Sequence, residues 1–206
     1  MLGSIAVAGY AQLLNFWFGA LEDGIAAEKT RANWFASAPA YDAECEQFAP
    51  LLSDAAAGHL NHWTNEPRGR LAFVLLCDQI PRNVFRGTNQ AYQFDNLALQ
   101  TAKDGILQGS DLTLQWDERA FFYMPFEHSE SLLDQHTAVG LFTKLRDDVP
   151  NHLNNMFGNT LRFAHKHRDI ISRFGRFPHR NEVFTRTSTE EETEFLTAAD
   201  HFGQNQ

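Results

Sequence analysis

A chain of 206 residues, 43% hydrophobic, 21% charged and carrying a net charge of -9, is long enough to bury a full core and has the composition of an ordinary folded domain. The negative balance excludes a general binder of nucleic acid or of an anionic membrane surface, since either needs a positive face. Of the 17 basic residues, 13 are Arg and four are Lys, a bias toward fixed bidentate pairing rather than a loosely solvated surface.

Helical periodicity dominates the chain. Ile5, Leu13, Leu14, Trp17 and Phe18 mark an opening helix stopped by Gly19. A second helix is expected over Asp42 to Ala57, with Asp42 as its N-cap and Cys45, Phe48, Leu51 and Leu52 facing inward. Pro67 suits the first position of a helix through Leu71, Val74, Leu75 and Leu76 to Ile80. Further helices are expected over Gln90 to Leu107 (ending at Gly109), Asp117 to Tyr123, Ser129 to Val149 and Asn151 to Phe174, the last stopped by Gly175. Ser188-Thr189-Glu190-Glu191 reads as a capping box opening a final helix toward Phe202. The expected fold is all-α, about eight helices in antiparallel hairpins, as one domain over 1–206 with two pseudo-repeated halves meeting near 109–116.

Cys45 and Cys77 fit no CxxC or zinc spacing, and two thiols in a chain of this length point to a reducing compartment without a disulfide framework. The first basic residue is Lys29, so the apolar opening lacks the charged start of a secretion signal and reads as a buried helix. No run of roughly 18 uninterrupted apolar residues predicts a membrane span. The expected location is the cytoplasm, with no membrane or nucleic-acid partner and no cofactor.

One phrase occurs twice: Ile80-Pro81-Arg82-Asn83-Val84-Phe85-Arg86, and Phe177-Pro178-His179-Arg180-Asn181 running on to Phe184-Thr185-Arg186. Proline disfavours helix in the residue before it, so each phrase is expected where one helix stops and another begins. Three segments carry candidate chemistry. In the first, Asp78 and Gln79 interrupt an apolar run at a helix C-terminus, so Asp78 needs a cationic or hydrogen-bonding partner, best supplied by an Arg of another helix. Gln79, Arg82 and Asn83 could instead line a polar pocket.

The second segment sets Arg119 and an aromatic cluster before Pro125, then Glu127-His128-Ser129-Glu130. Read as a helix entrance, it would put Glu127 and Glu130 on one face with His128 beside them as acid, base or ligand. The structural alternative has Ser129 as a cap and His128 as a satisfied buried imidazole. The third segment holds Arg173, Arg176, Arg180 and Arg186 within 14 residues, with His179 and Asn181. Such crowding needs intervening acids, for which Glu127, Glu130 and Asp78 are the candidates. Trp17, Trp34, Trp63, Phe121 and Phe122 read as core.

The same segments, with Asn15-Phe16-Trp17-Phe18-Gly19, Trp34-Phe35, Tyr41-Asp42-Ala43-Glu44 and Trp63 before Leu71-Ala72, resemble the largely bacterial family catalogued as domain of unknown function 924. The resemblance runs from about Leu14 to Leu196 and implies a tetratricopeptide-like helical array, without implying an activity. Cys77 stands where the family usually has an aliphatic residue, and Phe184-Thr185-Arg186 replaces a more typical Leu-Gly-Arg.

Two functions compete. In the first, Gln79, Arg82, Asn83, Arg119, Glu130, Arg173, Arg176, Arg180 and Asn181 line a pocket for an anionic small molecule or a peptide carboxylate, with His128, Glu127 and His179 available for proton transfer or hydrolysis. In the second, the array is a protein-interaction module and the polar motifs are internal ion-pair struts. Metal-dependent hydrolysis around Glu127, His128 and Glu130 ranks last, because no HExxH or ExxH spacing supports it.

Overall fold

A computed structural model describes residues 3–35 and 38–198. The fold is all-α, as expected, with ten α-helices among the described residues against the eight predicted. Helix α1 (Gly3–Phe18) leads into a two-strand hairpin, β1 (Leu21–Glu22) and β2 (Ile25–Ala26), with Leu21 opposite Ala26 and Glu22 opposite Ile25. Helices α2 (Glu28–Trp34), α3 (Pro39–Cys45) and α4 (Pro50–Ala56) follow. The single helix expected over 42–57 is thus broken. Pro50 has no N–H to continue the ladder and instead opens α4, while Asp42 lies inside α3 rather than capping it.

Helices α5 (Pro67–Val84) and α7 (Trp116–His128) form the centre, with α6 (Asp95–Leu107) between them in sequence. Every residue of α5 from Gly69 to Asn83 is buried, and so is every residue of α7 from Asp117 to Glu127. A helix enclosed on all sides shows no one-faced pattern, so the sequence does not mark the end of α7, which runs past Tyr123, its predicted end, to His128. Helices α8 (Leu132–Asp148), α9 (Asn154–Phe174) and α10 (Glu190–Ala198) complete the chain. Sequential neighbours from α5 to α9 pack on one another, and α5 also touches α1, α3 and α4. Trp17, Trp34, Trp63, Phe121 and Phe122 lie in the main core. A smaller cluster of Ile170, Ile171 and Phe177, with Phe174 and Phe195, anchors the C-terminal segment.

The two proline phrases adopt different structures. Pro81 sits within α5, one turn before its end, whereas Pro178 opens a short 3-10 turn (Pro178–Arg180) after Gly175 has closed α9 with φ 70°. The repeated letters therefore do not mark repeated corners. The capping box of α10 also lies one residue later than predicted. Thr189 Oγ1 accepts the Glu192 N–H at 3.1 Å, and Glu192 Oε2 accepts the Thr189 N–H at 2.8 Å. The expected helix end at Phe202 and the side chain of Ile5 lie outside the described residues. Among the described residues, no helix is long and apolar enough to cross a membrane.

Burial at the centre reverses the usual effect of replacing a helical glycine. A Cβ on Gly69 would stand 2.2 Å from the Trp63 carbonyl oxygen, while one on Gly140 of α8 meets nothing within 4 Å. Gly140→Ala should stabilise by about 1 kcal/mol, whereas Gly69→Ala should destabilise by about 1–3 kcal/mol through overpacking. Urea unfolding of the two variants checks the opposite signs.

Candidate functional site

Asp78 lies on the enclosed helix α5 with no exposure to water. Burial alone would raise its carboxyl pKa, but the Arg82 guanidinium, one turn on, and His128 outweigh burial and hold it well below the ordinary value. Its oxygens are fully engaged: His128 Nδ1 lies 2.8 Å from Oδ1, Gln79 Nε2 donates to Oδ2 at 2.6 Å, and Arg82 Nη1 is 3.3 Å from Oδ1. The cation partner expected from another helix thus comes from α5 itself. Gln79 Nε2 also meets Met124 Sδ at 3.4 Å, and Asn83 Nδ2 donates to the Gln79 carbonyl at 3.0 Å.

Arg82 reaches across to the first turn of α6, where Asp95 accepts both Nη groups at 2.8 and 3.0 Å. Burial opposes its charge, yet the two carboxylates prevail and its pKa rises. His128 behaves oppositely. Burial and the nearby Arg82 outweigh Asp78, so its pKa falls below 6.5 and the ring is neutral at neutral pH. An ionised carboxylate only accepts hydrogen bonds, so Nδ1 of His128 carries the proton and Nε2 the lone pair. Glu127 faces a second imidazole, with its Oε1 2.8 Å from Nδ1 of His167 on α9, and the two rings lie 6.3 Å apart.

Glu127 and Glu130 do not share a helical face, because this segment is the exit of α7 rather than the entrance of α8. Pro125 is accommodated inside α7, and Glu130 lies in the connection to α8. Nor does Ser129 cap α8; its hydroxyl donates to Asp134 at 2.9 Å. Glu130 ties down the C-terminal segment, accepting the Phe177 N–H at 2.9 Å and both Nη groups of Arg186 at 2.9 and 3.0 Å. Arg186 is held although its neighbour is Thr185. That residue takes a left-handed φ of 52°, a conformation glycine adopts without cost and a β-branched side chain does not.

Arg180 enters the same centre from the turn after α9. It is 94% buried by its 6% exposure, and its guanidinium carbon lies 4.6 Å from the Tyr92 ring and 4.4 Å from the Phe177 ring. Among the described residues its nearest carboxylate is Asp95 at 3.9 Å, and its Nε has no hydrogen-bond partner. Burial, reinforced by Arg82, lowers its pKa despite Asp95. Arg82 and Arg180, equivalent in the sequence phrases, therefore differ sharply. One guanidinium is clamped and the other is not.

The structure gathers Gln79, Arg82, Glu127, His128, Glu130 and Arg180 around Asp78 and Asp95, and leaves other predicted residues elsewhere. Arg119 lies apart with Tyr123 at 2.6 Å and Asp148 at 2.9 Å. Arg173 makes a surface pair with Glu191 at 2.7 Å. Arg176 pairs with Glu192 at 2.6 and 2.8 Å, and Asn181 donates to the same carboxylate at 3.2 Å. The acids for Arg173 and Arg176 thus come from α10, not from Glu127 or Asp78. His179 packs against Phe177 with the rings tilted and their centres 5.4 Å apart. Sequence reasoning missed Tyr92, Asp95 and His167. For His167 a signal existed, since it continues the spacing of buried Ala164, Ile170 and Ile171.

A cleft of about 660 Å³ lies away from this centre, lined by Leu21, Gly24, Arg68, Leu114, Trp116 and Glu118 among others. None of the predicted site residues lines it. Among the described residues, no group of three or more His, Cys, Asp or Glu is placed to hold a metal ion.

Residues 13–200 match the model of a family described as "Bacterial protein of unknown function (DUF924)". The chain belongs to this family. A solved structure, that of a protein of unknown function designated ATU0120 from Agrobacterium tumefaciens, is 34% identical, with a TM-score of 0.79 over 94% of this chain and 99% of the other. No curated protein matches.

Removing Arg82 would leave buried Asp78 without its guanidinium and Asp95 with only Arg180 at 3.9 Å. Arg82→Ala should therefore cost about 3–5 kcal/mol, and Arg173→Ala, at an exposed pair, less than about 0.5 kcal/mol; chemical denaturation separates them. Arg176 lowers the Glu192 pKa from its ordinary 4.5 to about 2. A depressed acid stabilises fully above its unfolded pKa, and that stabilisation is lost as pH falls from 4.5 through about 2. Glu192→Gln should flatten the fall in melting temperature across that window.

Proposed function

We propose that the protein binds an anionic small molecule or a peptide carboxylate at Arg180 and performs proton transfer or hydrolysis beside it, with His128 as the base. The observation that carries this reading is the unclamped guanidinium. A buried donor without an acceptor is costly, and a bound ion is one of the explanations such a group calls for. The Asp78–His128 pair supplies the chemistry: Asp78 fixes the ring through Nδ1–H, leaving Nε2 to accept a proton from water or from a substrate hydroxyl. Gln79 and Arg82 position Asp78, and Glu127 positions His167. His179 lies at the rim beside Phe177. Cys45 and Cys77, both buried free thiols, support a cytoplasmic setting.

The rival reading, a tetratricopeptide-like interaction module with structural ion pairs, is favoured by a separate observation. Arg86 holds Asp42 at 2.8 and 2.9 Å, and Arg82, Arg119, Arg176 and Arg186 each have a carboxylate within 2.9 Å. Most motif arginines are struts under both readings, so Arg180 decides between them.

Thermal-shift titration of the wild-type chain with inorganic phosphate, acetate and succinate tests the proposal. At least one anion should raise the melting temperature, Arg180→Gln should abolish the shift, and Arg173→Gln should retain it. A shift that survives Arg180→Gln, or no shift with any anion, would favour the interaction module.

A further inference from the structure

Resting on the reading of Arg180 as an anion receptor, we infer that the group recognised is a single planar carboxylate, held by the Arg180 fork with Tyr92 and Phe177 as the walls of its seat. Neither aromatic residue belongs to the polar chemistry of the motifs, yet both rings pack on this guanidinium, at 4.6 and 4.4 Å. Rings against the guanidinium occupy its faces and leave its edge for hydrogen bonding. Two parallel N–H groups on that edge match the two oxygens of a carboxylate lying in the same plane. Seating an oxygen beside Nε would also supply the acceptor that this atom lacks. The route in is narrow, because only 7% of the side-chain surface remains open, which suits a flat group presented end-on.

The surrounding charge argues against a phosphate. Asp78, Asp95, Glu127 and Glu130 place four carboxylates around the centre, against the three guanidiniums of Arg82, Arg180 and Arg186. Two of those guanidiniums are already engaged by both Nη groups, Arg82 with Asp95 and Arg186 with Glu130. A dianionic tetrahedral phosphate would need a second uncommitted cation, and the centre offers one fork. A monocarboxylate needs one fork only. The carboxylate could belong to a small free acid or to the C-terminal end of a peptide; the chemistry recognised is the same.

Isothermal titration of the full chain with propionate, with an N-acetylated dipeptide carrying a free or an amidated C-terminus, and with inorganic phosphate tests this inference. Propionate or the free-ended dipeptide should bind at least about tenfold more tightly than phosphate, and the tighter of the two identifies the source of the carboxylate. Arg180→Lys keeps the charge but loses the fork, and should weaken carboxylate binding by at least about tenfold. Phosphate binding more tightly than either carboxylate, and lost in Arg180→Gln, would overturn the inference while leaving an anion site at Arg180. An amidated dipeptide binding as well as the free-ended one would overturn it equally. Absence of binding by every probe would remove the underlying reading as well.

Discussion

A carboxylate on a helix enclosed from every side must be neutralised, and the polar architecture of this protein follows from that requirement at Asp78. Water does not reach it, so its charge survives only through groups the fold brings to it. Arg82 meets it within α5, His128 comes from the last residue of α7, and Gln79 fills the other oxygen. Arg82 in turn needs Asp95, which fixes the start of α6 against the end of α5. Three helices are thereby registered by one buried network, at a place where prolines at 81 and 125 already weaken the backbone ladders of α5 and α7.

The C-terminal segment is attached to that network by polar contacts more than by apolar burial. Its own cluster is small, while Glu130 gathers the Phe177 N–H and Arg186 across the junction, and Glu192 braces the segment internally through Arg176, Asn181 and the Thr189 N–H. This arrangement delivers Arg180 into the centre after its neighbours have been matched with acids. The geometry thus separates two roles that look alike in sequence: the Arg82 guanidinium, which holds helices together, and the Arg180 guanidinium, whose Nε has no hydrogen-bond partner among the described residues.

Much of the helical content was legible because Pro67, Gly19, Gly109 and Gly175 act locally, through a missing donor or a permitted backbone angle. The Asp23-Gly24 pair was equally legible as a hairpin turn, with φ of 52° and 79°, although it lies among segments of helical periodicity. The need of Asp78 for a partner could be read from its apolar surroundings. Which arginine answered could not, because pairings such as Glu130 with Arg186 join residues 56 positions apart and depend on packing. Asp95 carried no signal beyond an acid near a helix start. The kinship of Pro81-Arg82-Asn83 and Pro178-His179-Arg180-Asn181 misled for a related reason: similar residues serve the last turn of a long helix in one place and a short turn in the other.

The account depends on Arg82 and Asp95 being coupled in the folded state. A double-mutant cycle in urea, using Arg82→Met, Asp95→Asn and the pair together, measures that coupling directly. The clamp predicts a stabilising interaction of at least about 1.5 kcal/mol, within the range seen for contacting buried partners. Additive effects, with a coupling near zero, would contradict the buried network as the element that registers α5, α6 and α7.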